Sequence, residues 1–323
     1  MNLVKIKLIL QKTQIGSSVL WLYRFLVSYP MLWVKALAFL FIENKLIKPS
    51  FYKDEKLFQL LREDKKSFSR FGDGEISWIF RDANGYFGQN NSSELSSRLL
   101  EVVNSSVDDL IIGVPSFFDD MYQYNFKRKI SRNAHLLSNH KRWKSVISVG
   151  QCYGDSLITR VYNGRNNIDY VEVLFKEWCS VWRNRNVVIV EGEHTKFGVG
   201  NDLLTDAKTV RRIVGPAENA FSKLNELHDL ARIFYEDDVL FLICLGPTAT
   251  ILSYDIAVDG HQAIDIGHLD IEYEWYLNNR DGKCSVTGKY VNEAGGAPRT
   301  VLSDKVLNCY RKEIEFTCSY DDK

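Results

Sequence analysis

Beyond residue 51 the sequence alternates short β-branched runs, most of them stopping at Gly or Pro, with stretches of helical spacing. Residues 67–72, 110–114, 145–150, 187–190 and 210–214 read as strands. Residues 239–245 (VLFLICL) are continuously apolar, the pattern of a strand buried on both faces. That run stops at Gly246-Pro247-Thr248, where a helix can begin. Residues 249–258 continue the helix to Gly260, and residues 263–266 form the next strand. Between the strands, Phe221, Leu224, Leu227, Leu230 and Phe234 recur at helical spacing within residues 219–235. The sum is an α/β domain with a mostly parallel sheet, extending over residues 49–323 without a repeat or linker. Ligands of such sheets sit beyond the carboxyl ends of the strands, so strand ends are where chemistry is to be sought.

Residues 1–48 follow a different pattern. Residues 19–42 read VLWLYRFLVSYPMLWVKALAFLFI, interrupted only by Arg24, Ser28, Pro30 and Lys35. Twenty apolar residues span a bilayer, but Arg24 and Lys35 would each cost about 2.5–3.5 kcal/mol near its centre, and Pro30 would kink the helix. A helix lying in the interface avoids both costs. Basic side chains snorkel there while Trp21, Tyr23 and Trp33 sit at headgroup depth, and Lys5, Lys7 and Lys12 add attraction to anionic lipid. The expected location is the cytoplasmic face of a membrane. The alternatives are a helix packed on the domain's own surface and a signal or spanning segment.

Charge narrows the function classes. Lys and Arg total 41 and Asp and Glu total 41, which argues against a broad nucleic-acid surface. The six cysteines never stand at C-x-x-C spacing, so a thiolate zinc site is not indicated, and free thiols are expected.

Three strand ends carry chemistry. The first is residues 69–75 (SRFGDGE): if this segment stays extended, Asp73 and Glu75 project to one side, a pairing that suits a hard cation held together with phosphates. A solvated D-G turn is the bland reading. The second is residues 265–272 (DIGHLDIE), where His268 stands at a strand-to-helix turn and Asp270 and Glu272 occupy a helix's first turn, favourable for acids in any case. The third is Gly198-Val199-Gly200-Asn201-Asp202, read as a helix start whose N–H groups can hold phosphate, or as a simple cap. It lacks the third glycine of a dinucleotide fingerprint.

Five blocks taken together, residues 70–75 (RFGDGE), 198–204 (GVGNDLL), 245–257 (LGPTATILSYDIA), 262–275 (QAIDIGHLDIEYEW) and 288–293 (GKYVNE), resemble the GT-D-type glycosyltransferases. The resemblance covers roughly residues 51–293. It implies a Rossmann-like single domain that moves a sugar from a nucleotide sugar, typically a UDP-sugar, to a glycan or glycoprotein acceptor in surface-polysaccharide or adhesin assembly. It also implies a divalent metal, Mn²⁺ or else Mg²⁺, at a D-x-E motif. Asp73 and Glu75 match that motif, and His268 matches a histidine near the metal. Residues 158–164 (ITRVYNG) depart from the family's R-P-Y-type sequence there.

On that reading Ser69, Arg70, Gly72, Gly200, Asn201, Asp202, Gly246 and Thr248 are the donor-binding candidates. Arg70 would meet a phosphate or brace a carboxylate. Asp270 and Glu272 are the candidate general bases should the reaction invert configuration. A rival is a serine esterase of the G-D-S-L type, with Ser156 as nucleophile, His268 as base and Asp265 as orienter. It leaves the RFGDGE block and the extension after His268 unexplained. A third reading is a non-catalytic nucleotide-sugar-binding module on the same fold.

Overall fold

The computed structural model describes residues 18, 22–82, 88–119, 121–280, 283–294, 296 and 300–320. Nine parallel strands make one sheet: β1 (Ser50–Phe51), β2 (Ser67–Arg70), β3 (Leu110–Val114), β4 (Cys152–Asp155), β5 (Asn186–Gly192), β6 (Thr209–Gly215), β7 (Val239–Cys244), β8 (Gln262–Asp265) and β9 (Ile314–Thr317). Their order is β1-β4-β3-β2-β8-β7-β5-β6-β9. The chain builds outward from β2 in one direction through β3 and β4, then crosses over to lay β5 and β6 and fills inward through β7 to β8. The reversal between β2 and β8 is the switch point at which open α/β sheets bind ligands.

Period-two alternation buries the sheet on both faces. Val239, Phe241 and Ile243 of β7 point into one core, Leu240, Leu242 and Cys244 into the other. The first core is covered by α1 (Tyr29–Phe39), α3 (Asp73–Ile79), α4 (Ser93–Val103), α5 (Phe126–Val146), α7 (Leu224–Arg232) and α8 (Pro247–Val258). The second is covered by α2 (Asp54–Arg62), α6 (Ile168–Trp182) and the start of α9 (Leu269–Leu277). Helix α10 (Asp304–Glu313) leads into edge strand β9. A methyl group on Gly113 or on its register partner Gly154 would lie 2.7 Å from the Phe68 ring, so both glycines make room for an aromatic laid across β3 and β4.

Two expected elements differ. Residues 145–150 do not form a strand: Ser145 and Val146 complete the last turn of α5, where Trp143, Val146 and Ile147 are buried at helical spacing, and the strand begins at Cys152. Residues 198–202 form turns, not a helix start. Gly198 and Gly200 both have positive φ, and the Asn201 side chain accepts the Leu203 N–H. All six cysteines are unpaired.

A π-helical turn, Arg24–Ser28, runs directly into α1, and Pro30 falls in the first turn of α1. Ala36 and Phe39 are buried, Phe39 within the main core, while Val34, Leu37 and Phe41 are exposed. Among the described residues no helix is long and apolar enough to cross a membrane. Lys5, Lys7, Lys12 and Trp21 lie outside the described residues.

The far side of the sheet holds a fully buried ion pair. Arg212 of β6 donates to Glu191 of β5 at 2.8 Å and to Glu313 at 2.7 Å, and Glu191 also accepts the Phe197 N–H at 2.6 Å. Breaking a buried pair leaves an uncompensated charge, a loss of about 3–5 kcal/mol, whereas replacing both partners by apolar side chains costs far less. Glu191→Ala should therefore lower the urea midpoint strongly, and Glu191→Leu combined with Arg212→Leu should recover most of it. Equal losses in the single and double variants would contradict this account.

Candidate active site

At the switch point Arg70 ends β2 and Asp265 ends β8. Arg70 donates from Nε to the Asp265 carbonyl at 2.7 Å, from Nη2 to Asp265 Oδ1 at 2.7 Å, and from Nη1 to Thr159 Oγ1 at 2.7 Å and the Ser156 carbonyl at 3.3 Å. Thr250 of α8 donates to the Arg70 carbonyl at 2.9 Å and to Asp265 Oδ2 at 3.1 Å. Arg70 is thus a brace for a carboxylate, not a free phosphate hook. Gly267, at φ +52°, is needed beside it: a Cβ there would lie 1.9 Å from Arg70 Nη2. Ser69 is buried, its hydroxyl donating to the Thr250 carbonyl at 2.8 Å.

These strand ends floor a cleft of about 1140 Å³, walled by α5, the loop before α8 and the segments around residues 160–165 and 283–293. Gly72, Asp73, Glu75, Gly246 and His268 line it. The backbone turns helical at Asp73, so Asp73 and Glu75, two residues apart, point about 200° apart around α3 instead of converging. Glu75 folds back to accept the Gly72 N–H at 2.7 Å, closing the helix start. Loss of solvent, then the nearby Asp265 carboxylate, pushes its carboxyl up to about 7. Asp73 is exposed, with the Gly74 N–H on Oδ1 at 3.1 Å.

His268 caps α9 in the same cleft, its Nε2 3.6 Å from Glu293 Oε2. Burial, then the Arg160 charge, holds the imidazole down at about 3, so it is neutral. Arg160 itself is bridged to Glu293 at 2.9 Å and to Glu272 at 3.4 Å.

Several sequence-derived site residues stand elsewhere. Glu272 is fully buried and accepts the N–H groups of Tyr162 at 3.1 Å and Asn163 at 2.6 Å. Asp270 is buried against Lys289, at 2.8 and 2.7 Å, and the Asn201 amide, at 2.8 Å. Neither carboxylate lines the cleft, so neither is placed to take a proton from an acceptor. Gly200, Asn201 and Asp202 also lie off the cleft: Asn201 reaches Asp270 and Glu274, and Asp202 accepts the Tyr273 hydroxyl at 2.7 Å. Thr248 is buried and does not line the cleft, whereas Leu245, Gly246 and Pro247 before it do. As for the esterase reading, Asp265 is held by Arg70 and Thr250 and is not left to orient an imidazole.

The sequence reading gave Lys289, Glu293 and Arg160 no role. Lys289 has no exposed side-chain surface and joins Asp270 and Glu274, which stand at i and i+4 on one face of α9. That spacing, with a lysine in the GKYVNE block, was the available signal. Three of the sequence blocks therefore meet in one buried network of Asn201, Asp270, Glu274 and Lys289.

No three of the described His, Cys, Asp and Glu side chains gather into a metal-binding set. A Mg²⁺-like ion needs only one or two protein carboxylates when phosphates complete its shell, and the exposed Asp73 carboxylate at the cleft fits that smaller demand.

The family described as glycosyltransferase GT-D fold is matched over residues 68–294. Glycosyltransferase GlyD of Streptococcus pneumoniae serotype 4 is 32% identical over 241 residues, covering 74% of this chain and 29% of that protein. Probable glycosyl transferase Gly of Streptococcus gordonii is 34% identical over 241 residues, covering 74% and 35%. The match thus spans about a third of either relative's length. A solved structure described as a highly conserved domain of unknown function with a distinct glycosyltransferase fold superposes with a TM-score of 0.76 at 27% identity, covering 90% of this chain and 99% of that one. A glycosyltransferase from Streptococcus sanguinis gives 0.76 at 29% identity, covering 84% and 100%. Fold, cleft and sequence blocks agree, and the chain belongs to the GT-D-fold glycosyltransferase family.

Proposed function

We propose that the cleft transfers a sugar from a nucleotide sugar, a UDP-sugar, to a glycan acceptor with the help of a divalent cation, Mn²⁺ or Mg²⁺. The observation that carries this reading is the open Asp73 carboxylate at the start of α3, beside the strand ends of the switch point. Breaking the anomeric bond puts negative charge on the leaving diphosphate, and a cation held there would stabilise it as a Lewis acid. Asp73 would hold that ion. Glu75 fixes the Gly72 turn that presents Asp73, and Arg70 keeps Asp265 and β8 in place behind it. Gly246, before the twelve-residue α8, brings the positive end of that helix to the cleft. His268, uncharged, offers a hydrogen bond to donor sugar or phosphate.

The outer face of α1 supports attachment to the cytoplasmic face of a membrane. Val34 and Leu37 are exposed on a helix whose inner residues, Ala36 and Phe39, are buried against the domain, and Phe41 is exposed just beyond its end. An exposed apolar surface of this extent marks an interaction site.

Two predictions test these readings. Asp73→Asn keeps the shape and removes the charge a hard cation requires, so Mn²⁺-dependent UDP release should fall about 100-fold while the metal-free melting temperature stays unchanged. Ser156→Ala should turn over normally. Full metal-dependent release in Asp73→Asn would sink the proposal, and selective loss in Ser156→Ala would move it to the esterase. For location, Val34→Asp with Leu37→Asp should shift the chain from the membrane fraction to the supernatant with its fold intact. This is a cleaner test than truncation before residue 49, which would also strip Phe39 from the core. A wild-type chain that is already wholly in the supernatant refutes attachment.

A further inference from the structure

The cleft has two ends of opposite charge. Asp73, Glu75 and Asp265 cluster at the ends of β2 and β8, and the Asp73 charge reaches His135 of α5. Seven residues earlier on the same helix, about 10 Å along its axis, Arg128 lines the cleft beside Lys127. Arg160 and Lys283 line it as well.

Arg160 is neutralised by Glu293 and Glu272, but Lys127, Arg128 and Lys283 have no ion-pair partner among the described residues. The Arg128 Nε is buried without an acceptor. These cations feel one another: the Lys283 ammonium is pushed below its ordinary value, first by burial and then by Arg128, Arg160 and Lys127, with Glu293 opposing. Asn125 caps the start of α5, so the positive end of a 21-residue helix adds to the same field. Arg128 is half-buried and Lys127 and Lys283 are exposed, and like charges that feel one another disfavour the charged form until an anion joins them.

A cation on Asp73 already answers the donor diphosphate at the acidic end, which leaves the basic end for a second anion. Helix α5 also says where that anion comes from. It contains seven Lys and Arg residues and no acidic one. Phe126, next to Lys127, is exposed and its ring packs 5.4 Å from Trp33 of α1. The cationic wall is therefore continuous with the exposed apolar face of α1. A basic field beside exposed apolar and aromatic side chains complements an anionic bilayer surface.

We infer that Lys127, Arg128 and Lys283 seat the phosphate of a membrane-anchored acceptor, a glycan linked to lipid through phosphate, which enters the cleft along α5 from the bilayer side. This rests on the glycosyl-transfer reading of the cleft. Lys127 and Arg128 bind the phosphate, Lys283 closes on it from the opposite wall, and the sugar end reaches the donor near His268.

The test uses the full chain and phosphatidylcholine vesicles with and without a polyisoprenyl phosphate, read by flotation, together with calorimetry of butyl phosphate and of Mn²⁺-UDP in solution. Wild type should bind the doped vesicles about 10-fold more tightly than the plain ones. Arg128→Ser with Lys283→Ser should bind both vesicles alike and lose butyl phosphate binding, while keeping its melting temperature and Mn²⁺-UDP affinity. Leu37→Asp should lose both vesicles yet keep butyl phosphate, which separates the phosphate seat from membrane docking. A doped-vesicle preference that survives Arg128→Ser with Lys283→Ser overturns the proposal. So does a parallel loss of Mn²⁺-UDP, which would assign the wall to the donor. If wild type binds butyl phosphate but no Mn²⁺-UDP, the transfer reading falls and the phosphate seat stands.

Discussion

Arg70 places its guanidinium on four acceptors at the point where the strand order reverses, and Asp265 answers it with a carbonyl and a carboxylate. A part-buried ion pair repays its desolvation only when the remaining donors and acceptors are also satisfied, and here Thr159 and Ser156 accept from Arg70 while Thr250 donates to Asp265. The brace joins β2 to β8 across the switch point and fixes the turns that carry Gly72 and His268. It has a second effect. Because the arginine nearest the acidic strand ends is fully engaged, it is not available for phosphate charge. Unpaired basic side chains for a ligand come instead, among the described residues, from α5 and from the segment after α9.

A second set of buried charges does for α9 what Arg70 does for the strand ends. Lys289 bridges Asp270 and Glu274, while Glu272, on another side of the helix, receives the backbone of residues 162 and 163 and the Arg160 guanidinium. Acidic side chains that look like catalytic material are here the fastening between α9 and its two neighbouring loops. Of the charged groups that do face the cleft, Glu293, Arg128 and Lys283 are less conspicuous in the sequence than Asp73.

Much of the frame was legible because a parallel sheet buried on both faces leaves uninterrupted apolar runs. Residues 110–114 and 239–244 are strands where the runs stand. The run at 145–150 misled because Val146 and Ile147 are as β-branched as a strand, yet they share a buried helical spacing with Trp143. Asp73 and Glu75 misled in a related way: read as a continuation of the extended strand end they would face one side, whereas a glutamate three residues after Gly72 is also the signature of a helix start. The cationic wall had no local signal at all. Its members come from positions 127, 128 and 283, and only the topology brings them to one cleft. Lys289 was hidden for the same reason, since nothing in the GKYVNE block says that this lysine is sealed from solvent.

Lys289 also bears on the order in which the protein is made. Lys289, which compensates the α9 carboxylates, and Glu293, which pairs with Arg160, both emerge from the ribosome after α9. Until they arrive, Asp270 and Glu274 are carboxylates without their cation, and α9 has no reason to settle with that face inward. The sheet from β2 to β8 can pair before this point, because all its strands have already been synthesised. The nascent chain therefore acquires its scaffold first and the fastening of α9 last, so a product ending before residue 288 holds most of the core but lacks Lys289 and the Glu293 of the cleft wall.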